Sequence, residues 1–181
     1  MGIKAYLAFA PNHSYIRHQD EQGRWYNLEL TNGRYVTPHA LMKFGYIKTA
    51  ALKNRVYMDT LSPRQTIGAC LVDLVLGYDA KFGAFRREAF MHQCIDAVLQ
   101  DQPNHVQAWI VKGSLIDAEL YRAVRQSNYA SAAQIPSHSP VAALRELQLQ
   151  IYARIESLGF AQMPAAQYQA WRAGLGREQS R

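Results

Sequence analysis

The sequence predicts an α+β fold: a small N-terminal antiparallel sheet followed by a mainly helical region. Three observations carry this expectation. Short β-prone runs separated by turn residues fill positions 1–36, helix starts of the Ser/Thr-Pro type recur from Thr37 onward, and apolar residues then fall at helical spacing. With 181 residues of which 49% are hydrophobic, the chain can bury a core, so disorder is not expected. The corresponding division is a β segment over 1–36, short connecting helices over 37–61, a helical region over 62–176 and a frayed tail over 177–181.

Residues 3–9 (IKAYLAF) form the first strand, Pro11-Asn12 punctuates it, and NHSYIRH resumes an extended pattern. Asp20 to Gly23 is polar and turn-like. RWYNLEL follows as a strand, with Trp25, Asn27 and Glu29 on one face and Tyr26, Leu28 and Leu30 on the other. Asn32-Gly33 predicts a tight turn that returns the chain through Arg34 to Val36.

Thr37-Pro38 then starts a short helix, with Thr as N-cap and Pro at the first helical position, ending near Gly45. Ser62-Pro63 starts a longer one with Gln65 at the capping-box position; Ile67, Leu71, Leu74, Val75 and Tyr78 mark its buried face, and Gly83 closes it. Arg87 to Gln100 makes the next helix, with Phe90, Cys94, Ile95 and Val98 inward, and Pro103-Asn104 forms the turn. Val106 to Arg125 is again helical, with Trp109, Ile110, Leu115 and Leu120 as core. A loop rich in Ser, Ala and Pro spans Gln126 to Ser139. Ser139-Pro140 repeats the capping pattern for a helix through Ile155, striped by Leu144, Leu147, Ile151 and Ile155 and stopped by Gly159. Met163-Pro164 opens a last short helix carrying Tyr168 and Trp171.

Composition narrows the function classes. Lys and Arg number 20 against 14 Asp and Glu, a net charge of +6, but the basic residues are scattered and no reader motif occurs, so nucleic-acid binding is not expected. The longest apolar run, Ala69 to Leu76, is interrupted by Asp73 and is too short to cross a bilayer. No membrane partner is expected. The start of the chain has no charged leader, apolar core or cleavage site, which makes the cytoplasm the default location, though a full-length parent could be exported. The two cysteines, Cys70 and Cys94, make neither a CxxC pair nor metal-ligand spacing, so no disulfide framework, metal or cofactor is expected. The abrupt opening inside a strand raises the expectation of a truncated domain, whose open sheet edge would favour self-association.

The segment Pro103-Asn104-His105-Val106-Gln107-Ala108-Trp109-Ile110-Val111-Lys112-Gly113 resembles the junction between two tetratricopeptide (TPR) repeats. In that family the Pro ends one helix pair, while Ala, Trp and Gly (here Ala108, Trp109 and Gly113) pack the next helix against it. Lys112 stands where the repeat prefers Leu, and the spacing from Ala97 to Pro103 is one residue long. The resemblance implies a short helical array offering a groove to a protein or peptide. An ordinary helical bundle cored by Trp109 and Tyr78 is the other reading.

His13 and the segment Gly23-Arg24-Trp25-Tyr26-Asn27-Leu28-Glu29-Leu30-Thr31 together resemble the second half of the transglutaminase-like (papain-like cysteine hydrolase) core. There a strand carries the catalytic His, and the next carries a Trp, an acid four residues later, then a Thr. Trp25, Glu29 and Thr31 match that spacing, with Glu in place of the usual Asp. The resemblance implies that His13 is a base oriented by Glu29, and that Trp25 and Thr31 are structural. The family's nucleophile is a Cys upstream of the His at a helix N-terminus, and the twelve residues before His13 contain no Cys, Ser or Thr. Cys70, two turns into a helix, and Cys94, mid-helix, are expected to be inert, buried small hydrophobes. His18 lies on the other face of the strand from His13, which disfavours a two-histidine metal site.

The stretches GIKAYLAFAPNHSYIRH, WYNLELTNGR, YMDTLSPRQTIGACLVDL and LGFAQMPAAQYQAW also resemble a group of bacterial proteins, from gut Bacteroidetes, in which a transglutaminase-like domain precedes TPR-like helices. The leading expectation is a non-catalytic chain that acts through protein binding by its helices. The alternative is a fragment of a cysteine transglutaminase- or protease-like enzyme acting on peptide or protein amides, with its Cys outside this sequence.

Overall fold

The computed structural model describes residues 3–83, 88–127, 129 and 134–170. The fold is α+β: a four-stranded antiparallel sheet followed by a mostly helical region. The chain divides into two compact units, one made of 1–62 with the residues from Gly159 onward, the other of 63–158. The C-terminal stretch therefore groups with the sheet and not with the helices that precede it.

In the first unit, β1 (Lys4–Ala10), β2 (His13–Gln19), β3 (Trp25–Leu28) and β4 (Tyr35–Val36) pair in sequence order, all antiparallel. Pro11 and Asn12 make the two-residue connection between β1 and β2; Pro fixes the first corner, and Asn12 takes a left-handed φ of 54°, which Asn tolerates. That turn sets Ala10 opposite His13. The register then places Ala8 opposite Tyr15 and Arg17 opposite Asn27, so Ala8, Ala10, Tyr15 and Asn27 share a buried face. α1 (Pro38–Gly45) starts as its sequence dictates, with the Thr37 hydroxyl accepting from Ala40 N. α2 (Thr49–Lys53) comes next, and the unit's core adds Leu41, Ile47, Ala51 and Tyr57.

Two sheet features differ from the sequence reading. The third strand stops at Leu28, not Leu30, and the connection to β4 is longer than a two-residue turn. Glu29 N donates to Arg34 O at 2.8 Å and Gly33 N to Glu29 O at 2.9 Å, with Gly33 at φ +68°. Glu29 thus continues the β3–β4 register opposite Arg34, and its side chain turns back onto Thr31. The outer edge of β1 is also not open along its length: Met58 N donates to Phe9 O and Leu61 N to Leu7 O, so the chain itself covers those carbonyls.

The second unit holds α3 (Pro63–Phe82), α4 (Glu88–Asp101), α5 (Val106–Ser127) and α6 (Pro140–Ser157). α3 packs on α4 and α5, α4 on α5, and α5 on α6. Val72, Val75, Met91, Ile95, Val98, Leu99, Ala108, Val111 and Leu115 form its main core cluster. The face that the periodicity of α3 predicts is covered in part: Val75 is buried, and Leu71 and Tyr78 pack against the core cluster. Gly68, Ala69, Val72 and Val75 are buried, whereas Ile67 is 64% and Leu74 51% exposed. The helix is apolar nearly all round, so spacing alone does not choose a face; the side with small residues wins because it admits the neighbouring helices most closely. In α5 the buried set is Val106, Ala108, Val111, Gly113, Leu115 and Ile116, with Trp109, Ile110 and Leu120 only half-buried.

The Ser139 hydroxyl caps α6 by accepting from Ala142 N at 3.1 Å, as its sequence predicts. Leu144 and Leu147 on its expected stripe are half-buried, and Ile151 and Ile155 are buried. Gly83 and Gly159 take positive φ after α3 and α6. A helical stretch over 165–170 carries an exposed Tyr168. Arg87, Trp171, the tail beyond Gly176 and part of the loop before Ser139 lie outside the described residues. Among the described residues no helix is long and apolar enough to cross a membrane.

Candidate functional site

The sheet brings His13 and Glu29 together. His13 opens β2 and points to the same face as Tyr15, Arg17 and, across the ladder, Asn27; Glu29, two residues on from Asn27, joins that face at the end of β3. His13 Nε2 is hydrogen-bonded to Glu29 Oε2. The second carboxylate oxygen, Oε1, accepts from Thr31 N at 3.2 Å and from Thr31 Oγ1 at 3.0 Å. The His13 side chain is 32% exposed and that of Glu29 15%.

The electrostatics derive from these contacts. Burial alone pushes the Glu29 carboxyl up, but the two Thr31 hydrogen bonds and the neighbouring His13 outweigh it and hold the group below its ordinary 4.5. Glu29 is therefore a carboxylate at neutral pH. As an acceptor it requires a His13 proton on Nε2, so in the neutral ring the basic atom is Nδ1, the nitrogen nearer the main chain. A thiol approaching from that side would meet a base already in the correct tautomer.

Tyr15, which the sequence motifs do not mark, completes the wall of the site. Its ring stacks on that of His13 with centroids 6.3 Å apart, it is fully buried, and burial raises its hydroxyl to about 12, so it does not compete as an acid. Alternation puts His13, Tyr15 and Arg17 on one strand face, but nothing in the sequence marks the tyrosine among them as part of a site. Arg17 reaches over the buried face and donates from Nη1 to Met58 O at 2.6 Å, fastening the segment after α2 to the sheet.

Trp25 lies apart from the His13–Glu29 contact. It is 43% exposed, tilted against Tyr6 at 6.0 Å, with the Arg17 guanidinium 5.2 Å from its ring. His18 faces the opposite side of the sheet, stacked on Tyr26 and hydrogen-bonded to Tyr35 Oη at 3.2 Å. Among the described residues no group of three His, Cys, Asp or Glu side chains is placed to hold a metal.

Both sulfurs belong to the helical unit. Cys70 is exposed, not buried as its apolar neighbours imply, because it lies on the outward side of α3. Cys94 is half-buried on α4, and burial pushes its thiol up, the opposite of nucleophile activation. Neither opens a helix.

The Pro103–Gly113 stretch forms the turn between α4 and α5 and the first part of α5. Pro103 O accepts from Trp109 Nε1 at 2.9 Å and from Arg154 Nη2 at 3.2 Å, and Arg154 also donates to Asn104 Oδ1. Ala108 is fully buried, and Gly113 faces α6: a Cβ there would lie 3.4 Å from Ile151 Cγ2. His105 caps α5 through Nδ1, which accepts from Ala108 N at 3.2 Å, and its burial lowers its pKa, favouring the neutral ring that an acceptor requires. Compared with protein-family models, curated proteins and solved structures, the chain matches none.

Proposed function

We propose that His13 and Glu29 form the base half of a transglutaminase-like acyl-transfer site acting on peptide or protein amides, with the thiol nucleophile supplied from outside this sequence. The observation that supports this reading is the linked set His13 Nε2, Glu29 and Thr31 on one rim of the sheet. It holds the imidazole in one tautomer with Nδ1 free, which is what deprotonating a thiol requires. The protein expressed from its own gene is the material to assay, with amide hydrolysis and amine incorporation as readouts. Turnover is expected to be blocked by iodoacetamide and to fall by about 100-fold or more in His13→Ala. Iodoacetamide-sensitive turnover indifferent to His13 would overturn the reading.

A second reading, a non-catalytic chain that binds a protein or peptide through its helices, is favoured by one observation. α3 carries Ile67 and Leu74 on an outward, exposed side. A photo-crosslinking residue at position 74 is expected to give a discrete adduct in the producing cell that the same residue at position 73 does not. Identical patterns at the two positions would remove the support.

A further inference from the structure

We propose that Thr31 is a positioning residue that makes Glu29 a usable partner for His13. The inference rests on the base-half reading above but can be tested without any turnover. Glu29 has one more side-chain torsion than the Asp usual at this place in the transglutaminase-like pattern. A longer acid on a partly exposed rim samples more rotamers, and holding it in one costs conformational entropy. Thr31 answers that cost locally. Its N–H and its hydroxyl both donate to Oε1, at 3.2 and 3.0 Å. Two donors on one oxygen fix the carboxylate plane and leave Oε2 for His13 Nε2.

The turn itself serves the clamp. Glu29 N and O are both taken by the β3–β4 connection, through Arg34 O and Gly33 N, so the Glu29 main chain is held at the same point as its side chain. Asn32 Oδ1 accepts from Arg34 N at 2.9 Å and keeps the connection closed. Thr31 lies inside the turn that Gly33 N closes onto Glu29 O, and there its N–H and hydroxyl meet the Glu29 carboxylate. The chain of control runs from Thr31 to Glu29 and from Glu29 to the His13 ring, and Thr31 does not touch the ring.

The experiment is an NMR measurement on the intact chain, recording the ring nitrogens of His13 and the carboxyl titration of Glu29 in wild type, Thr31→Val, Thr31→Ser and Glu29→Gln. Thr31→Val keeps the N–H bond and removes the hydroxyl bond. It is expected to move the Glu29 midpoint up toward its ordinary value and to weaken the preference for the Nε2–H form of His13, while Thr31→Ser keeps both signatures. The backbone amide spectra of the two variants serve as the check that the fold persists. A Thr31→Val protein with wild-type Glu29 and His13 signals overturns the proposal, as does a Thr31→Ser protein as perturbed as Thr31→Val. Glu29→Gln separates the two levels: if it leaves the His13 ring unchanged, the His13–Glu29 pairing itself fails, whereas a change there with a silent Thr31→Val sinks only the role of Thr31.

Discussion

Gly159 holds φ at +87°, and a Cβ built on it would lie 2.4 Å from Ala51 N and 2.8 Å from Ala50 C. Both are backbone atoms of α2, which cannot swing aside as a side-chain tip can. Gly159→Ala adds the left-handed penalty of about 1–2 kcal/mol to that overlap, so a loss of about 3 kcal/mol is expected. Urea denaturation measures it, and a loss below about 1 kcal/mol would mean that α2 yields. The sequence marks Gly159 as a helix stop; its approach to α2 is a long-range contact that no local pattern encodes. Glu29 carries a second residue-scale expectation. Its folded pKa is depressed, so its contribution to stability is present above the unfolded value and is lost as pH falls through the folded one. The contribution therefore fades only on the acid side of 4.5. Glu29→Gln is expected to flatten the acid limb of stability below the ordinary 4.5 and to lower stability above it. An acid limb identical in the two proteins would contradict the clamp.

At the scale of single elements, legibility tracks how local the physics is. Thr37 and Ser139 are found capping the helices their sequence predicts, because an N-cap and the Pro after it act within one turn. The Pro11-Asn12 break and the Gly83 stop are legible for the same reason. The buried face of α3 is legible only in part: Leu71, Val75 and Tyr78 meet the core as their spacing predicts, whereas Ile67 and Leu74 obey the same spacing and stay exposed, because the neighbouring helices cover Gly68, Ala69 and Val72 instead. The end of the third strand is hidden too: beyond Glu29 the chain turns through Gly33 N to Glu29 O, with Thr31 folded onto the Glu29 carboxylate, a turn invisible to alternation. Spacing pairs His13 with Glu29, but it does not mark Tyr15 beside them, because a tyrosine in an alternating strand carries no signal of its own. The α3 result yields a direct contrast. Val75→Ala removes buried methyl groups and is expected to cost about 2 kcal/mol. Leu74→Lys, one residue away on the outward side, is expected to stay within about 0.5 kcal/mol of wild type. Equal losses from the two would mean that Leu74 is covered as Val75 is.

For the whole molecule, the consequential feature is that one unit is continuous in sequence and the other is not. Residues 63–158 form a single stretch containing α3 to α6 and the whole Val72–Leu115 core cluster. Its helices are tied by side-chain links that begin and end inside the stretch: Arg64 with Asp101, Lys112 with Asp96, and Gln148 and Tyr152 with Asp117. Ion pairs and hydrogen bonds near the surface contribute little each, so the apolar core must carry the stability. The sheet unit, by contrast, needs residues from both chain ends, because the stretch beginning at Gly159 groups with 1–62. A protein limited to 63–158 is therefore expected to unfold cooperatively in urea with a helical circular dichroism spectrum, whereas 1–62 alone, deprived of the segment that meets α2 at Gly159, is expected to be the less stable piece. A non-cooperative 63–158 fragment would show that the helices depend on the sheet unit for their core, and the exposure of Ile67 and Leu74 would then have to be explained within the intact chain.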